Sequence, residues 1–221
     1  MTDDINLRDE VKRKRIHYIG LSVPIIYFLS DRELMLMIIG TALVLFFLID
    51  YLRLYTKNKT IDYLFGEKGY STHIKIKSVY GKGKIDRDIS LPTLNPILRK
   101  EEKRSWGSHT YYALGALICV LLYPEHIAIA ATAILVIGDS VAALVGKAVG
   151  RYKIYKNKTL EGTTACFLSC LVVCYILLPI PMAIIGSLAA TLTELLSTKV
   201  NDNFTIPVIS GGIMAIANYL L

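Results

Sequence analysis

The sequence combines a high apolar content with a basic charge that is unevenly distributed along the chain. It has 221 residues, of which 53% are hydrophobic and 19% are charged, and its net charge is +7. Disordered chains are polar throughout, and average soluble domains carry about 25% charged residues, so this composition argues against both classes. The Lys and Arg residues lie in blocks between long apolar segments, which indicates membrane topology and no nucleic-acid partner. The length suits a single membrane domain, residues 1–221.

Seven apolar segments predict an all-α integral membrane protein with about seven transmembrane helices. A spanning helix needs about 20 apolar residues, with a range of about 17–25, and only the second and fourth segments meet this length comfortably. Shorter segments are accommodated when long polar side chains reach the interface or when the bilayer thins locally. The segments are residues 16–29, 34–52, 110–123, 127–149, 163–178, 182–197 and 206–221.

The basic residues predict the orientation of these helices. With seven spans, every Lys and Arg residue except Arg32 falls on the same side of the membrane. Basic loops stay on the cytoplasmic side, so we expect a cytoplasmic N-terminus and a C-terminus outside. The longest connection, residues 53–108, is basic, and its alternating residues predict a short hairpin near 72–90. That hairpin is expected either at the anionic membrane surface or as a solvated loop without a function.

A carboxylate inside the fourth segment is the first candidate for a functional site. Asp139 is predicted about 15 Å from the end of its helix, and charged residues inside a membrane are costly. Lys147 shares its helix face, and a neighbouring stripe of small residues at every fourth position lets a backbone or a ligand approach closely. The alternative interpretation is a helix-packing stripe with an Asp–Lys pair. The stripe consists of Gly138, Ala142, Gly146 and Gly150.

A second candidate site follows the fourth segment. Lys158 and Thr159 precede a predicted helix that begins near Glu161 and Gly162, and backbone N–H groups at such a position suit a phosphate. Glu161 is a candidate ligand for a divalent ion that bridges phosphates. The sequence has no Walker-type loop and no protein-kinase motif set, so a nucleotide would have to bind in another way. The alternative interpretation is a basic loop with a helix cap.

Five short elements stand in a fixed order along the chain. They are RKRIH at 13–17, GDS at 138–140, KTLEG at 158–162, Glu194 and DNFTIP at 202–207. This pattern resembles the CTP-dependent lipid kinases, namely dolichol kinase, phytol kinase and yeast-type diacylglycerol kinase. That family is distantly similar to the phosphatidate cytidylyltransferases. The resemblance covers the first apolar segment and nearly everything from residue 99 onwards.

The resemblance implies an enzyme that uses CTP and a divalent cation such as Mg²⁺ to phosphorylate a lipid alcohol. The expected location is a cell membrane or an endoplasmic-reticulum-type membrane, with the active site on its cytoplasmic face. The expected acceptor is a polyprenol or dolichol, then geranylgeraniol, phytol or diacylglycerol. Carried over by position, the resemblance implies catalytic roles for Asp139, Lys147, His17 and Lys14. The implied CTP-binding residues are Lys158, Thr159, Glu161, Gly162, Gly146 and Asn203. The implied metal ligands are Asp139, Glu161, Glu194 and Asp202.

The identity of the residue that accepts the proton and two other functions of the chain stay open at this point. Either Asp139 or His17 would accept the proton of the lipid hydroxyl, and we favour Asp139 because it lies within a predicted span. A cytidylyltransferase would use the same triphosphate and metal but would attack a different phosphorus. An ion or lipid transporter would need polar residues along a path to both faces, whereas the outer halves of these segments are almost purely apolar.

Overall fold

The computed structural model describes residues 7–55, 73–78, 85–90, 105–197 and 201–220. This part of the chain is predominantly α-helical and contains two small antiparallel hairpins. The helices are α1 (Leu7–His17), a 3-10 turn (Tyr18–Leu21), α2 (Ser22–Leu29), α3 (Arg32–Tyr55), α4 (Ser108–Leu122), α5 (Glu125–Val149), α6 (Leu160–Leu177), α7 (Ile180–Leu196) and α8 (Asp202–Leu220). The strands are β1 (His73–Ser78), β2 (Ile85–Ser90), β3 (Lys153–Tyr155) and β4 (Lys158–Thr159).

The chain divides into two compact units. The first comprises Met1–Phe47 and Gly107–Leu221, and the second comprises Leu48–Trp106. The second unit contains the end of α3 and the antiparallel pair β1–β2, in which Ile76 is opposite Arg87. This pair lies where the sequence predicts a hairpin, although the turn that joins its strands is outside the described residues. That both units belong to one membrane domain stays a prediction.

The first predicted segment differs from a single continuous helix. Helix α1 ends at His17, a 3-10 turn follows, and α2 then begins at Ser22. Gly20 lies in this turn, and a Cβ there would approach Val136 Cγ2 to 3.1 Å. The hydroxyl of Tyr112 donates to the Gly20 carbonyl at 2.6 Å. Glycine disfavours a regular α-helix, which is consistent with the 3-10 turn at this position.

Within the part of the chain that the structure describes, four helices are long and apolar enough to cross a membrane, namely α5, α6, α8 and the stretch Arg32–Leu52 of α3. Helices α4 and α7 are apolar but shorter, with 15 and 17 residues. Large apolar side chains such as Leu122 and Ile176 are exposed on the outer faces of the helices. A bilayer would cover such faces, whereas water would not. These features identify an integral membrane protein, but the helix lengths do not establish the predicted count of seven spans.

Helix α5 forms the centre of the first unit. In its most apolar 18-residue stretch 78% of the residues are buried, compared with 17% for α3. A Cβ at Gly138 would lie 2.5 Å from Cys170 Sγ, and a Cβ at Gly162 would lie 2.8 Å from the carbonyl oxygen of Ala142. Small residues therefore allow α6 to pack closely against α5. The sulfur of Cys170 fills this contact and lies 3.7 Å from the Ile134 carbonyl oxygen.

The connections between helices bring several helix ends to one end of the first unit. Short connections join α5, α6, α7 and α8, which makes consecutive helices antiparallel. The C-terminal ends of α5 and α7 therefore lie at the same end as the N-terminal ends of α6 and α8. The hairpin β3–β4 connects α5 to α6 there, and Lys156 makes its tight turn with a φ of 50°. Lys158, Glu194 and Asp202 of the candidate site lie at this end, whereas Asp139 lies further inside α5.

Candidate active site

Helix α1 carries a row of charged side chains into the first unit. Residues three or four positions apart share one helix face, and this row contains Glu10, Arg13, Lys14 and His17. Lys14 is only 1% exposed. Lysine is almost never fully buried unless its charge is paired, so Lys14 requires an anionic partner.

Asp139 of α5 supplies this partner. The Lys14 Nζ atom donates a hydrogen bond to Asp139 Oδ2 in a buried ion pair. The His17 Nε2 atom lies 3.5 Å from the same oxygen and has no hydrogen-bond partner of its own. The structure thus brings together three of the four residues that the sequence predicts to be catalytic. The charges of Lys14 and Asp139 are buried as a pair, as buried ionic groups require.

Glu10 belongs to the same cluster, although the sequence analysis does not select it. Its side chain is buried, its Oε1 atom accepts from Arg13 Nε at 3.1 Å, and its Oε2 atom accepts from Lys147 Nζ at 2.7 Å. The two cations offset the cost of burying the Glu10 carboxylate. Lys147, the fourth predicted catalytic residue, therefore joins the cluster through Glu10. The signal in the sequence was the helical spacing from Glu10 to Arg13 and Lys14.

A second, partly buried ion pair joins β4 to α7. The Lys158 Nζ atom donates to Glu194 Oε1. Glu194 is 3% exposed, and its Oε2 atom has no hydrogen-bond partner. Burial works against the ammonium of Lys158, but the Glu194 carboxylate outweighs it and raises the pKa of Lys158. The predicted phosphate-binding lysine and the predicted metal ligand are thus in direct contact.

The first turn of α8 adds two more predicted residues to the cluster. Asp202 interacts electrostatically with Arg13, Lys14 and Lys158. The side chain of Asn203 is buried, and its Nδ2 atom donates to Asn201 Oδ1 at 3.0 Å. The Oδ1 atom of Asn203 has no hydrogen-bond partner. The same network includes Asp139, which interacts electrostatically with Arg13 and Lys158.

Three predicted CTP-binding residues form the contact between α5 and α6. Thr159 caps α6, because its Oγ1 atom accepts from the Gly162 N–H at 3.2 Å. A Cβ on Gly146 would lie 3.1 Å from Thr159 Oγ1 and 3.7 Å from Gly162 Cα. This arrangement corresponds to the helix-packing interpretation of the small-residue stripe and to the helix-cap interpretation of the loop. A role for these three residues in binding CTP stays a prediction.

Glu161 has its contacts on the hairpin side of α6. Its Oε1 atom accepts from the backbone N–H of Arg151 at 3.0 Å and of Tyr152 at 3.4 Å. The contacts attach the hairpin to the start of α6 and do not involve Asp139 or Glu194. The predicted role of Glu161 as a metal ligand remains a prediction.

The arrangement of lysine, arginine and carboxylate side chains in this site suits an anionic ligand better than a metal held by protein side chains alone. Within the described ranges, no three His, Cys, Asp or Glu side chains converge as a metal cage would require. The buried carboxylates of Glu10, Asp139 and Glu194 are paired with Lys or Arg. However, Glu194 Oε2 and Asn203 Oδ1 are buried acceptors without partners. Such atoms are rare in native proteins, and a ligand, an ion or an ordered water would satisfy them.

Comparison with known proteins identifies one relative. The chain is similar to CTP-dependent diacylglycerol kinase 1 from Schizosaccharomyces pombe, with 28% identity over 137 residues that make up 53% of this chain and 63% of the relative. The match thus spans less than two thirds of the relative's length. No protein-family model matches the sequence, and no solved structure matches the chain significantly. The similarity supports the CTP-dependent lipid kinase family that the sequence motifs indicate.

Proposed function

We propose that the chain is a membrane kinase that transfers the γ-phosphate of CTP to the hydroxyl group of a lipid alcohol. The observation that carries this proposal is the convergence of Arg13, Lys14, Lys147 and Lys158 on one network of carboxylates at one end of an apolar bundle. Charged residues within the membrane region are costly and default to a functional role, and of these cations Lys14 is the fully buried one. A triphosphate is a ligand to which Lys and Arg donate strong charge-assisted hydrogen bonds. The named activity of the relative supports CTP as the phosphate donor.

The cations carry most of the proposed reaction, because phosphoryl transfer depends mainly on positioning and charge stabilisation. The Lys158 ammonium leaves Glu194 and binds the phosphates of CTP. Lys14 and Lys147 neutralise the charge of the transferring phosphoryl group. The hydroxyl proton of the lipid passes to the pair formed by His17 Nε2 and Asp139 Oδ2, which are 3.5 Å apart. The alcohol oxygen then bonds to the γ-phosphorus, and CDP leaves with the electrons of the broken bond.

The donor atoms of the site fit Mg²⁺ bound partly by the nucleotide. Mg²⁺ is usually held by one or two carboxylates together with substrate phosphates and water. The unpartnered oxygens of Glu194 and Asn203 support such a position, and Asp139, Asp202 and Glu161 are the other proposed ligands. When bound, Mg²⁺ would supply positive charge that offsets the negative charge of the nucleotide phosphates. The lysine residues perform the remaining charge neutralisation.

The proposed acceptor is a lipid alcohol whose chain stays in the bilayer. The sequence resemblance places polyprenol or dolichol first, whereas the name of the relative favours diacylglycerol. Both acceptors present a hydroxyl group at the membrane interface. The chemistry of the site is the same for either, because the His17–Asp139 pair contacts only the hydroxyl.

An assay of the reconstituted chain tests the proposed function. We expect transfer of radiolabel from γ-labelled CTP to diacylglycerol or to a polyprenol, and at most weak transfer from ATP. Dolichol, phytol and geranylgeraniol are assayed in parallel to identify the acceptor. A lipid product that carries the cytidine nucleotide would instead identify a cytidylyltransferase. Transfer from ATP alone would overturn the proposal, and cation flux without nucleotide turnover would favour a transporter.

We further propose seven spans, with α1, the 3-10 turn and α2 forming the first, and with the site on the cytoplasmic side. Thiols introduced by Lys156→Cys and His126→Cys test this orientation, since both positions are exposed and lie near opposite ends of α5. The four native cysteines are buried and serve as an unreactive background. An impermeant maleimide should label the first variant only from the cytoplasmic side and the second only from outside. Labelling of both variants from one side would contradict the proposed topology.

A further inference from the structure

Glu10 is a buried carboxylate to which the proposed reaction assigns no step. It is 1% exposed and contacts two cations that belong to different helices. Arg13 lies one turn further along α1, whereas Lys147 lies on α5, 137 positions away in sequence. Each carboxylate oxygen takes one of these cations. Glu10 therefore connects the two helices that carry most of the predicted catalytic residues.

The Glu10 carboxylate restrains the side chain of Lys147, whose Nζ atom donates a hydrogen bond to Glu10 Oε2 at 2.7 Å. The side chain of Lys147 is 33% exposed, so its ammonium has water as an alternative to the Glu10 carboxylate. A hydrogen bond between an ammonium and a carboxylate is roughly twice as strong as a neutral one, and it selects one of the many conformations of a lysine side chain. The guanidinium of Arg13 is likewise restrained, because its Nε and Nη2 atoms both donate hydrogen bonds to Glu10 Oε1. Both cations are thereby oriented before any ligand arrives.

We infer that Glu10 is a positioning residue that holds Arg13 and Lys147 in the arrangement needed to stabilise the transferring phosphoryl group. This inference rests on the proposed kinase function. Glu10 itself contacts neither substrate, because both of its oxygens are occupied by the two cations. Its effect is expressed through the positions of these two side chains.

Three roles for Glu10 lead to different results in a Glu10→Gln variant, which keeps the shape and removes the charge. A positioning role predicts that kcat falls about 10- to 100-fold, because small misplacements of catalytic groups have effects of this size. The KM for CTP then changes little, because the lost orientation of the two cations offsets the attraction of the nucleotide to the added positive charge. A purely electrostatic role predicts a lower KM and an unchanged kcat. A purely structural role predicts a lower unfolding midpoint with an unchanged kcat in the folded fraction.

The position of Lys147 is measured separately from activity. Purified wild type and the Glu10→Gln variant are exposed to an amine-reactive reagent, and the modification of each lysine is followed by mass spectrometry. We expect modification of Lys147 to become severalfold faster in the variant, because its ammonium is no longer held. Lys156 in the exposed turn of the hairpin is the internal control and should react at an unchanged rate. An unchanged rate at Lys147 would overturn the inference.

Steady-state kinetics of the reconstituted full chain complete the test. Glu33→Gln, which changes an exposed glutamate at the start of α3, is the matched control and should behave as wild type. Glu10→Asp keeps the charge and shortens the side chain, so a positioning role predicts a kcat below that of wild type even though the site stays neutralised. Wild-type rates in Glu10→Gln or in Glu10→Asp would overturn the inference. If wild type itself transfers no phosphate from CTP, the proposed function fails, and Lys147 labelling still reports whether Glu10 holds that side chain.

Discussion

An Asp139→Asn variant is expected to phosphorylate the lipid acceptor about 1,000-fold more slowly than wild type, within the range that loss of a general base produces. Asparagine has the same shape, and its carbonyl oxygen still accepts a hydrogen bond from Lys14 Nζ. It cannot share a proton with His17, however, and it is a neutral and weaker ligand for a divalent cation. The measurement is the initial rate of transfer from γ-labelled CTP in proteoliposomes.

The matched control for this variant is Asp31→Asn. Asp31 caps α3 by accepting a hydrogen bond from the Leu34 N–H at 2.7 Å, and asparagine caps a helix equally well. We therefore expect wild-type turnover and an unchanged unfolding midpoint. If Asp139→Asn keeps full turnover and its fold, Asp139 is neither the base nor an essential metal ligand. The proposed proton transfer would then pass to His17 alone.

A Lys14→Met variant is expected to lose about 3–5 kcal/mol of stability, the usual cost of removing one partner from a buried ion pair. Methionine fills a similar volume, so the loss comes from charge and not from a cavity. Asp139 then keeps a buried carboxylate without the ammonium that Lys14 provides. The free energy of unfolding in a mixed-micelle denaturant titration gives the size of the effect. Phosphate transfer should also fall, because Lys14 is a proposed contact of the phosphoryl group.

A double variant separates the charge effect from lost packing. Lys14→Met combined with Asp139→Asn removes both charges, so we expect it to recover most of the stability lost in Lys14→Met alone. Lys156→Met replaces an exposed lysine and should change stability by no more than about 0.5 kcal/mol. A double variant as unstable as Lys14→Met would contradict this account, because the loss would then not arise from an uncompensated Asp139.

The helices were largely predictable, since long apolar segments leave few other structures for the backbone to adopt in a membrane. The exception is the first segment, in which a 3-10 turn separates two α-helices. Tyr112 of α4 donates a hydrogen bond to the Gly20 carbonyl in this turn. Gly20 is a local signal for the interruption, whereas its partner lies 92 positions away in sequence and no local pattern reports it.

Most of the candidate site was also predictable, because a carboxylate within an apolar segment is conspicuous. Asp139 and Glu194 stood out in this way, and both contact predicted lysines. Glu10 was not predictable from composition, since a glutamate among other charged residues has the pattern of a solvated helix face. Its burial arises only from the packing of α1 against α5. Gly146 was selected from the sequence as a CTP-binding residue, and in the structure it lies at the contact between α5 and α6. The sequence could not separate these two roles, because small residues suit a ligand and a neighbouring helix equally well.

The sequence by itself determined that this protein is built from apolar helices and that its basic residues gather near a few carboxylates. These properties follow from the order of apolar and charged residues along the chain, which requires no knowledge of long-range contacts. The tertiary structure alone decided which charges are partners: Lys14 with Asp139, Lys158 with Glu194, and Glu10 with Lys147. The physical reason is that an ion pair depends on distances between helices that are far apart in sequence, and these distances are set by the small-residue packing of α5 and its neighbours.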